Sequence, residues 1–522
     1  MERKWWTLIA VSVAIFMLLL DITVVNVALP DIQRALHSSF QDLQWVVNAY
    51  ALTLAAFLLT AGALADLLGR RRVFVTGLIV FTISSAVCGL SSTPLMLNLA
   101  RAVQGIGGAA MFATSLALIA QAFHGKERGI AFGVFGGVVG AAVAIGPVVG
   151  GIITAGIGWE WIFFVNVPIG VAAVFLTLMQ VAESRDPEAR GVDWMGLVTF
   201  SGSLFLLVFA LIQGNEKGWG STRIVSYLVG ALVLIVLFVI VERRQSRPML
   251  DLTLFRRPAF AGASIAAFAV SASIFAMFLY LTLYLQDVLG YGPLQAGLRF
   301  LPITLLSFVV APIAGRLSVR VPVRLLLGSG LLLVSGGLLA MTAVDASSEW
   351  TVLVPGFLLA GAGVGLINPP LASTAIGVVH YTRSGMASGI NSTFRQVGIA
   401  TGVAGLGAVF QHEVTHSTSA ALAADGPGRE VLHAAHGSLG SALVSGDVRN
   451  LASHLPPSAG AALGHAYRVG FTSAFDSILM IAALIAFFGA LCAFILVRGR
   501  DFVTSEDPAE AHETPAAQAV TA

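Results

Sequence analysis

The sequence has 522 residues, of which 57% are hydrophobic and only 11% are charged, against about 25% charged residues in a soluble domain. So few charges cannot cover a water-soluble surface, and the 56 glycines suit membrane helices that pack closely through small residues. The formal net charge is only +2, and no basic tract is interleaved with aromatic residues, so we expect no nucleic-acid partner.

Apolar runs of about 20 residues, the length that crosses the hydrocarbon core of a bilayer, recur along the whole chain. The first follows Arg3 and Lys4 as in a signal peptide, but it is too long and contains Asp21, so we interpret it as the first membrane helix. We predict an all-α integral membrane protein with fourteen transmembrane helices. The runs lie at 5–29, 45–65, 73–92, 95–121, 130–153, 161–182, 194–214, 223–241, 260–286, 295–315, 323–344, 350–379, 387–411 and 470–497.

The distribution of positive charge predicts the orientation. Most of the 29 Lys and Arg residues lie in segments on the same side of the membrane as the N-terminus. Cytoplasmic segments of membrane proteins retain positive charge. We therefore expect both termini in the cytoplasm and a multi-pass protein of the cell inner (plasma) membrane, in contact with lipid. Tryptophan prefers the membrane interface, and all eight tryptophans fall at predicted helix ends: Trp5, Trp6, Trp45, Trp159, Trp161, Trp194, Trp219 and Trp350.

A weak internal repeat predicts the domain organisation. The segment Gly62–Asp66 after helix 2 resembles Gly315–Val319 after helix 10, and each is followed by arginines, as in transporters built from repeated halves. Helices 7 and 8 then form an insertion. We predict an N-terminal six-helix bundle at 1–182, two inserted helices with cytoplasmic connections at 183–250, a C-terminal six-helix bundle at 251–500 with a long outer loop at 412–469, and a disordered cytoplasmic tail at 501–522.

Disulfide and metal chemistry have little support in the sequence. Cys88 and Cys492 both lie inside apolar runs, so we expect neither a disulfide framework nor a cysteine metal site. The Ala/Gly/Ser-rich outer loop holds six of the ten histidines, which lack a recognisable ligand motif. We predict a solvated, partly helical loop without a metal. Its histidines are His412, His416, His433, His436, His454 and His465.

Two charged residues within the predicted helices are candidates for proton coupling. A charge at the membrane centre costs at least ~2.5 to 3.5 kcal/mol, so each one is a functional candidate. Asp21 in helix 1 and Arg101 in helix 4 fall at similar depth, in the outer part of the membrane. An acid whose counter-ion moves toward it or away from it would release or bind one proton. A fixed ion pair that joins two helices is the alternative.

Four further charges fall in or near the predicted helices. Arg395 in helix 13 and Asp476 in helix 14 are central, whereas Asp287 and Arg299 lie nearer the outer ends of their spans. A structural role explains these charges as well as a functional role does. That role is contact between helices or, for Arg299, snorkelling of the side chain toward the membrane interface.

Glycine-rich stretches mark two further sites. Gly62–Arg72, at the cytoplasmic end between helices 2 and 3, combines glycines that permit a tight turn with an acid and arginines that can form ion pairs or cap a helix. In helix 5, glycines four residues apart make a smooth packing face around Pro147, which bends the helix. A bent, closely packed helix suits a gate, and a passive packing face is the alternative. The helix 5 glycines are Gly136, Gly140, Gly146, Gly150 and Gly151.

Together these stretches resemble the fourteen-helix drug/proton antiporters of the major facilitator superfamily over nearly the whole chain. Leu20–Pro30 is similar to the family's helix 1 signature, Gly62–Arg72 to its loop between helices 2 and 3, and Arg101–Gly107 to its helix 4 motif. Gly140–Gly151 resembles the helix 5 motif associated with antiporters. Further stretches that match are Tyr284–Tyr291 and Asn391–Gly398.

The resemblance implies that Asp21 and Arg101 take part in proton coupling and that helix 5 favours export. It also implies two six-helix bundles that rock about a midplane cavity, and the absence of a second acid in helices 10 and 13 argues against a divalent cation as substrate. The cytoplasmic loop would be a conformational latch formed by Gly62, Asp66, Gly69, Arg70 and Arg71. Candidate cavity residues are Asn26, Gln104, Asn391 and Arg395.

The resulting hypothesis is a secondary active efflux transporter that exports hydrophobic or monocationic small molecules, such as drugs or antibiotics, in exchange for protons. We expect a monomer that uses the proton gradient through alternating access, with no cofactor and no enzyme activity. The alternative is a proton-coupled or facilitative importer of a small polar solute, which polar, charged cavity residues would favour. A membrane enzyme would need a catalytic constellation or a nucleotide-binding loop, and the sequence has no Walker-type motif.

Overall fold

The computed structural model describes residues 2–123, 125–185, 191–245, 248, 250–318, 320–378, 384–424, 428–429, 431–432, 455–498 and 501. Within these residues each predicted apolar run forms a helix. In chain order the helices are α1 (Arg3–Leu36), α2 (Phe40–Leu68), α3 (Arg70–Gly89), α4 (Pro94–Ala122), α5 (Gly125–Gly156), α6 (Trp161–Gln180), α7 (Trp194–Lys217), α8 (Thr222–Arg244), α9 (Pro258–Val288), α10 (Pro293–Leu317), α11 (Val323–Met341), α12 (Val354–Gly377), α13 (Ser384–Ala424) and α14 (Pro457–Leu496).

The helices have the length and composition of membrane spans. Thirteen of them contain a described stretch long and apolar enough to cross a membrane. The other is α13, whose apolar character is reduced by polar residues such as Arg395, Gln396 and Gln411. We count α13 as the fourteenth span because it is 41 residues long and packs against α2, α9 and α14, and about 20 residues suffice to cross a bilayer.

Several helices begin at a residue whose side chain caps the first turn. Ser39 and Asp42 form a capping box, in which the Asp42 backbone N–H donates to Ser39 Oγ at 3.1 Å and the Ser39 N–H donates to Asp42 Oδ2 at 2.9 Å. Thr93 accepts from the N–H of Met96 at the start of α4. These caps satisfy backbone donors that have no partner inside the helix, so the turns between spans can be short.

Three spans depart from regular α-helix. A break at Val165 divides α6, and Phe300 divides α10. In α9, the turns Ser271–Phe275 and Tyr284–Val288 are π-helical. Because π-helical turns occur often at functional sites, α9 is a candidate for substrate contact.

The outer loop predicted at 412–469 is much shorter in the structure. Helix α13 continues to Ala424, and α14 begins at Pro457. The predicted end of the thirteenth helix was wrong because it was placed at the drop in hydropathy after Phe410, whereas neither proline nor glycine lies between Phe410 and Ala424. The two extensions pack on each other through a small apolar cluster whose buried members are Leu422, Val431, Ala459, Leu463 and Ala466. His433, His436, His454 and residues 502–522 of the predicted tail lie outside the described residues.

Equivalent helix pairs pack in the two halves of the chain. In the N-terminal half α4 packs against α2 and α3, and α1 against α5; in the C-terminal half α12 packs against α10 and α11, and α9 against α13. Glycines allow close approach in both halves. A Cβ atom on Gly107 would lie 2.6 Å from the Phe81 backbone nitrogen, and one on Gly337 would lie 2.7 Å from the Ala360 nitrogen. The repeated pairing agrees with the weak repeat in the sequence.

The two halves contact each other through α5 with α10 and through α2 with α13. Hydrogen bonds between described residues of the two halves run from Gln44 Nε2 to the Val403 carbonyl at 3.0 Å and from Gln286 Nε2 to the Val27 carbonyl at 2.7 Å. Both lie toward the membrane face opposite the N terminus, which we call the distal face. The bundles are therefore closed on each other at the distal face.

The inserted helices α7 and α8 form a hairpin that lies against α2 and α13. Trp45 of α2 stacks against Phe205 and Phe209 of α7, with ring centroids 5.9 Å apart in each pair. Asn215 Nδ2 donates to the Ala408 carbonyl at 2.5 Å. The hairpin thus covers one of the two seams between the bundles. The domain boundaries at 182, 250 and 500 remain a prediction.

Adjacent glycines in α11 provide a test of the close packing. A Cβ at Gly337 would collide with α12 backbone, 2.7 Å from both the Ala360 nitrogen and the Gly356 oxygen, whereas one at Gly336 meets nothing within 4 Å. We predict that Gly337→Ala destabilises the protein by about 1 to 3 kcal/mol, the usual cost of overpacking, as measured by thermal unfolding in detergent. Gly336→Ala should leave the melting temperature unchanged or raise it, and equal effects of the two variants would contradict this packing.

Candidate functional site

Asp21 of α1 and Arg101 of α4 form an ion pair inside the N-terminal bundle. Arg101 Nη1 donates to Asp21 Oδ2 at 2.5 Å. Only 2% of the Arg101 side chain and none of the Asp21 side chain is exposed. Arg101 lies two turns into α4, ~10 Å below the distal end of that helix at 1.5 Å per residue. The pair is therefore within the membrane and shielded from water.

Arg101 also contacts groups other than Asp21. Its Nε donates to the Val46 carbonyl of α2 at 3.2 Å, and its Nη1 is also 2.7 Å from Gln104 Oε1. The guanidinium carbon lies over the Tyr50 ring, 4.3 Å from the centroid, a distance typical of a cation–π contact. Arg101 thus holds α1, α2 and α4 together.

Two amides complete the surroundings of the Asp21 carboxylate. Gln104 Nε2 and Asn166 Nδ2 donate to Asp21 Oδ1 at 3.0 and 3.1 Å. Asn166 Nδ2 also lies 3.1 Å from Ser85 Oγ, which in turn donates to the Phe163 carbonyl at 2.9 Å. The Asp21 carboxylate therefore accepts three hydrogen bonds, one of them from the Arg101 cation. These donors come from α4 and α6.

The sequence predicted the depth of Asp21 and Arg101 but not the other members of this network. Asn166, Ser85 and Tyr50 are each at most 2% exposed, and they come from three different helices. The one available signal was an amide, Asn166, inside the apolar run of α6. Gln104 was predicted to line a cavity, and it is instead a buried partner of the ion pair.

The glycine face of α5 packs against α1 one turn beyond Asp21. A Cβ on Gly146 would lie 2.6 Å from Thr23 Cβ, and one on Gly150 would lie 2.9 Å from the Val24 carbonyl. Two neighbouring residues of α5 contact the other bundle. The Pro147 carbonyl touches Gly297 of α10, and Gly151 packs against the Pro293 carbonyl. Gly140, nearer the membrane centre, faces Phe308 of α10 at 3.5 Å. Helix α5 is therefore in contact with both the Asp21 helix and the bundle interface.

The segment between α2 and α3 is a compact charged turn near the end of α6. Arg70 Nη2 pairs with Asp66 Oδ1 at 2.9 Å, and Gly69 has φ of 112°, a conformation that glycine adopts without strain. Glu183 accepts from the Arg71 backbone N–H at 3.0 Å and lies 2.6 Å from the position of a Gly69 Cβ. Around Gly62 nothing lies within 4 Å of a Cβ position. Glu183 was not predicted from the sequence, because it is more than 100 residues away in the chain.

The other candidate cavity residues do not form one cluster. Asn26 Nδ2 donates to the Ile22 carbonyl of its own helix at 3.2 Å. Asn391 Nδ2 is 3.4 Å from the Ala263 carbonyl of α9. The Arg395 guanidinium carbon lies 5.7 Å from the centroid of the Phe275 ring. The structure therefore places Asn391 and Arg395 together on the α9 side of α13, and Asn26 in the opposite bundle.

Two of the remaining charges lie near the distal end of the helices. The Arg299 guanidinium carbon lies 3.5 Å from the Tyr291 ring centroid and 5.2 Å from that of Trp350. The prediction that Asp476 is central was wrong. Helices α13 and α14 are antiparallel, with Gly470 against Thr418, so Asp476 lies level with about residue 412. Residues 477–497 carry no charge and span the core. Among the described residues, no group of three or more His, Cys, Asp or Glu could hold a metal ion.

Comparison with known protein families identifies this architecture. The family model of the Major Facilitator Superfamily matches residues 11–403, which include both the ion pair and the glycine face of α5. The chain belongs to the Major Facilitator Superfamily. It is thus a multi-pass membrane protein of a transporter family, and no enzyme family is indicated.

Similar members of the superfamily have names that refer to drug resistance. The chain is 41% identical over 404 residues to multidrug resistance protein Stp of Mycobacterium tuberculosis, covering 77% of this chain and 75% of Stp. It is 34% identical over 413 residues to the tetracenomycin C resistance and export protein of Streptomyces glaucescens, covering 79% of this chain and 77% of that protein. The fold is similar to a bacterial homologue of the lysosomal transporter Spinster, solved in an inward-facing, unoccupied conformation, with a TM-score of 0.61 at 18% identity over 96% of this chain and 99% of the other.

The buried ion pair of this superfamily member makes a testable prediction about stability. Arg101→Gln leaves the Asp21 carboxylate buried without its cation, and loss of one partner of a buried pair costs about 3 to 5 kcal/mol. We expect the double variant, Arg101→Gln with Asp21→Asn, to recover most of the lost stability in thermal unfolding measurements. Arg34→Gln is the control, because the Arg34 side chain is 64% exposed in its pair with Asp31, and pairs at the surface contribute about 0 to 1 kcal/mol. A double variant as unstable as Arg101→Gln would contradict this account of the pair.

Proposed function

We propose that this chain is a secondary active exporter that exchanges hydrophobic small molecules for protons by alternating access. The supporting observation is the position of Asp21, a buried carboxylate whose helix packs directly on α5, the helix that contacts the opposite bundle. Its relatives include proteins named for multidrug resistance and for resistance to and export of an antibiotic, which supports export and a role in drug or antibiotic resistance.

The proton step follows from the chemistry of the ion pair. In the closed arrangement Asp21 accepts three hydrogen bonds, one of them from Arg101, and in our proposal this is the state without a proton. If the bundles open at the distal face, α1 and α4 shift, and water reaches the carboxylate. Asp21 then binds a proton, since a carboxylate separated from its cation in an apolar surrounding is stabilised in the neutral form. Return of Arg101 on closure displaces the proton toward the other face.

The coupling path runs through α5. The α1 turn after Asp21 packs on Gly146 and Gly150, and the next face of α5 packs on α10 through Pro147 and Gly151. Because closely packed helices with no free volume move together, a shift of α1 on protonation alters the α5–α10 seam. The charge state of Asp21 and the opening of the distal face are then two parts of the same movement.

The energy available suffices for a resistance function. We assign the N-terminal face to the cytoplasm, where the basic residues concentrate. One proton entering is then worth ~2.3 kcal/mol per 100 mV, plus ~1.4 kcal/mol per pH unit. At ~1.4 kcal/mol per tenfold concentration ratio, a neutral cargo could be concentrated outward roughly 50- to 500-fold. No cofactor is required.

The structure favours a hydrophobic cargo over the monocationic class that the sequence also allowed. A cationic cargo needs a mid-membrane carboxylate, and Asp21 is already engaged by Arg101. Asp476, the other described acid we considered, lies near the distal membrane surface. We therefore carry forward a hydrophobic cargo without a positive charge, such as an antibiotic, and we propose that the chain acts as a monomer.

We propose that the charged turn at the cytoplasmic face is a conformational latch between the closed and the open arrangement of the two bundles. Asp66 and Arg70 pair there, and Glu183 caps the start of α3 through the Arg71 N–H. These contacts fix the positions of Arg71 and Arg72, whose Nε atoms lie 3.8 and 3.7 Å from Glu183 Oε2. Helix ends held in this way respond as a unit when the bundles rock.

The central prediction concerns Asp21. Asp21→Asn retains the side-chain size but cannot ionise, so we expect it to abolish export driven by a pH gradient in proteoliposomes, using a compound that a susceptibility panel with an uncoupler control identifies as cargo. Asp31→Asn, the same change in the same helix at a partly buried acid that pairs with the exposed Arg34, should leave export within about twofold of wild type because this pair does not join two helices. Undiminished gradient-driven export by Asp21→Asn would refute the proposal.

A second prediction separates charge from hydrogen bonding in the latch. Glu183→Gln keeps an oxygen that accepts from the Arg71 N–H but removes the charge near Arg71 and Arg72, whereas Glu183→Ala removes both. We expect a reduced export rate in both variants and a larger loss in Glu183→Ala, because a lost cap costs about 1 kcal/mol on its own. The measurement is the initial export rate at equal amounts of protein in the membrane. Wild-type rates in both variants would exclude Glu183 from the latch.

A further inference from the structure

Arg395 is a mid-membrane cation for which the described part of the chain provides no counter-ion. It lies 11 residues into α13 from Ser384, or ~16 Å along the helix, which is about the middle of the hydrocarbon core. The other central charges, Asp21 and Arg101, neutralise each other. A guanidinium stays protonated at all physiological pH values and has five N–H donors. The contact that the structure gives it is the face of Phe275.

The Arg395 side chain points into the protein, not into lipid. Asn391 and Gly398, one turn before and one turn after it on the same helix face, both contact α9. Asn391 donates to the Ala263 carbonyl at 3.4 Å, and a Cβ on Gly398 would lie 3.0 Å from Ser271 Cβ. Arg395 is nevertheless only half-buried, so part of its side chain remains accessible.

The surroundings of Arg395 combine this cation with an aromatic surface. Phe275 closes the π-helical turn Ser271–Phe275, and such turns are frequent at functional sites. From Phe275 a row of rings continues through Phe278 to Phe300, with centroids 6.2 and 5.4 Å apart. Phe275 and Phe278 are half-buried, so their faces are available to a ligand. A flat apolar body could stack there while an acidic group meets the guanidinium.

We propose that Arg395 and Phe275 form a binding site for an anionic oxygen group, a carboxylate or phenolate, on a cargo with an aromatic or apolar body. The planar fork of arginine binds such oxygens through two parallel N–H donors. Retention of a charge that has no counter-ion among the described residues is costly at this depth, and binding of an anionic cargo explains it. This inference rests on the proposed export function, whose substrate class it specifies.

Equilibrium binding tests the site without any gradient, so its outcome does not depend on proton coupling. The probes are pyrenebutyrate and its uncharged analogue pyrenebutyramide, titrated into the full chain in lipid nanodiscs. We expect wild type to bind the carboxylate roughly 10- to 100-fold more tightly than the amide, as for one charge-assisted hydrogen-bonded pair. Arg395→Gln should remove that preference and leave amide binding unchanged, which also verifies its folding. Arg395→Lys, which keeps the charge but loses the fork, should be intermediate.

Arg299→Gln is the matched control, because Arg299 also stacks on aromatic rings but lies near the distal end of α10. It should keep the wild-type preference for the carboxylate. Equal affinity of wild type for the two probes, no measurable binding of the carboxylate, or an equal loss of both probes in Arg395→Gln would overturn the site. Failure of export in Asp21→Asn, together with a carboxylate preference that persists in this variant, would support both proposals. If export continues in Asp21→Asn, the proton-coupling proposal is wrong. If the carboxylate preference is absent, the proposal for the Arg395 site is wrong.

Discussion

The ion pair between Asp21 and Arg101 constrains the arrangement of the N-terminal bundle. Two charges in a low-dielectric interior are tolerated only when each is matched and hydrogen-bonded, and here Gln104, Asn166 and the Val46 carbonyl provide further hydrogen bonds to the pair. Together with Asp21 and Arg101, these residues belong to α1, α2, α4 and α6. Opening the pair therefore disturbs four helices at once, which is what a conformational switch requires.

Symmetry within the fold explains how a local change could reach the other half of the protein. The helices that contact across the bundle interface, α5 with α10 and α2 with α13, occupy equivalent positions in the two halves. The helix that carries Asp21 contacts the opposite bundle directly through the Gln286–Val27 hydrogen bond, and α5 joins it to the α5–α10 seam through glycines that leave no space between the backbones. On the α2–α13 side, the inserted hairpin covers the seam. A cargo dissolved in the bilayer would therefore meet the α5–α10 seam as the uncovered one.

The sequence predicted what depends on hydropathy and helical geometry. The number and order of the helices followed from the apolar runs, and the common depth of Asp21 and Arg101 followed from the rise per residue. Prediction from the sequence failed for contacts that depend on packing between residues far apart in the chain. Asn166, Ser85 and Glu183 reach their partners across 78 to 145 residues of chain, and no local pattern marks such contacts. The extensions of α13 and α14 were missed because polarity was taken as the end of a helix, and that error also misplaced Asp476.

Infrared difference spectroscopy on the purified protein in lipid tests the central claim most directly, because it observes the protonation of a carboxyl group without a transported substrate. Lowering the pH should produce a carbonyl band of a buried protonated carboxylic acid that is absent from Asp21→Asn and that moves to a higher pH in Arg101→Gln, where no cation holds the carboxylate ionised. A band that persists in Asp21→Asn, or no protonation of Asp21 at any pH at which the protein remains folded, would contradict the account.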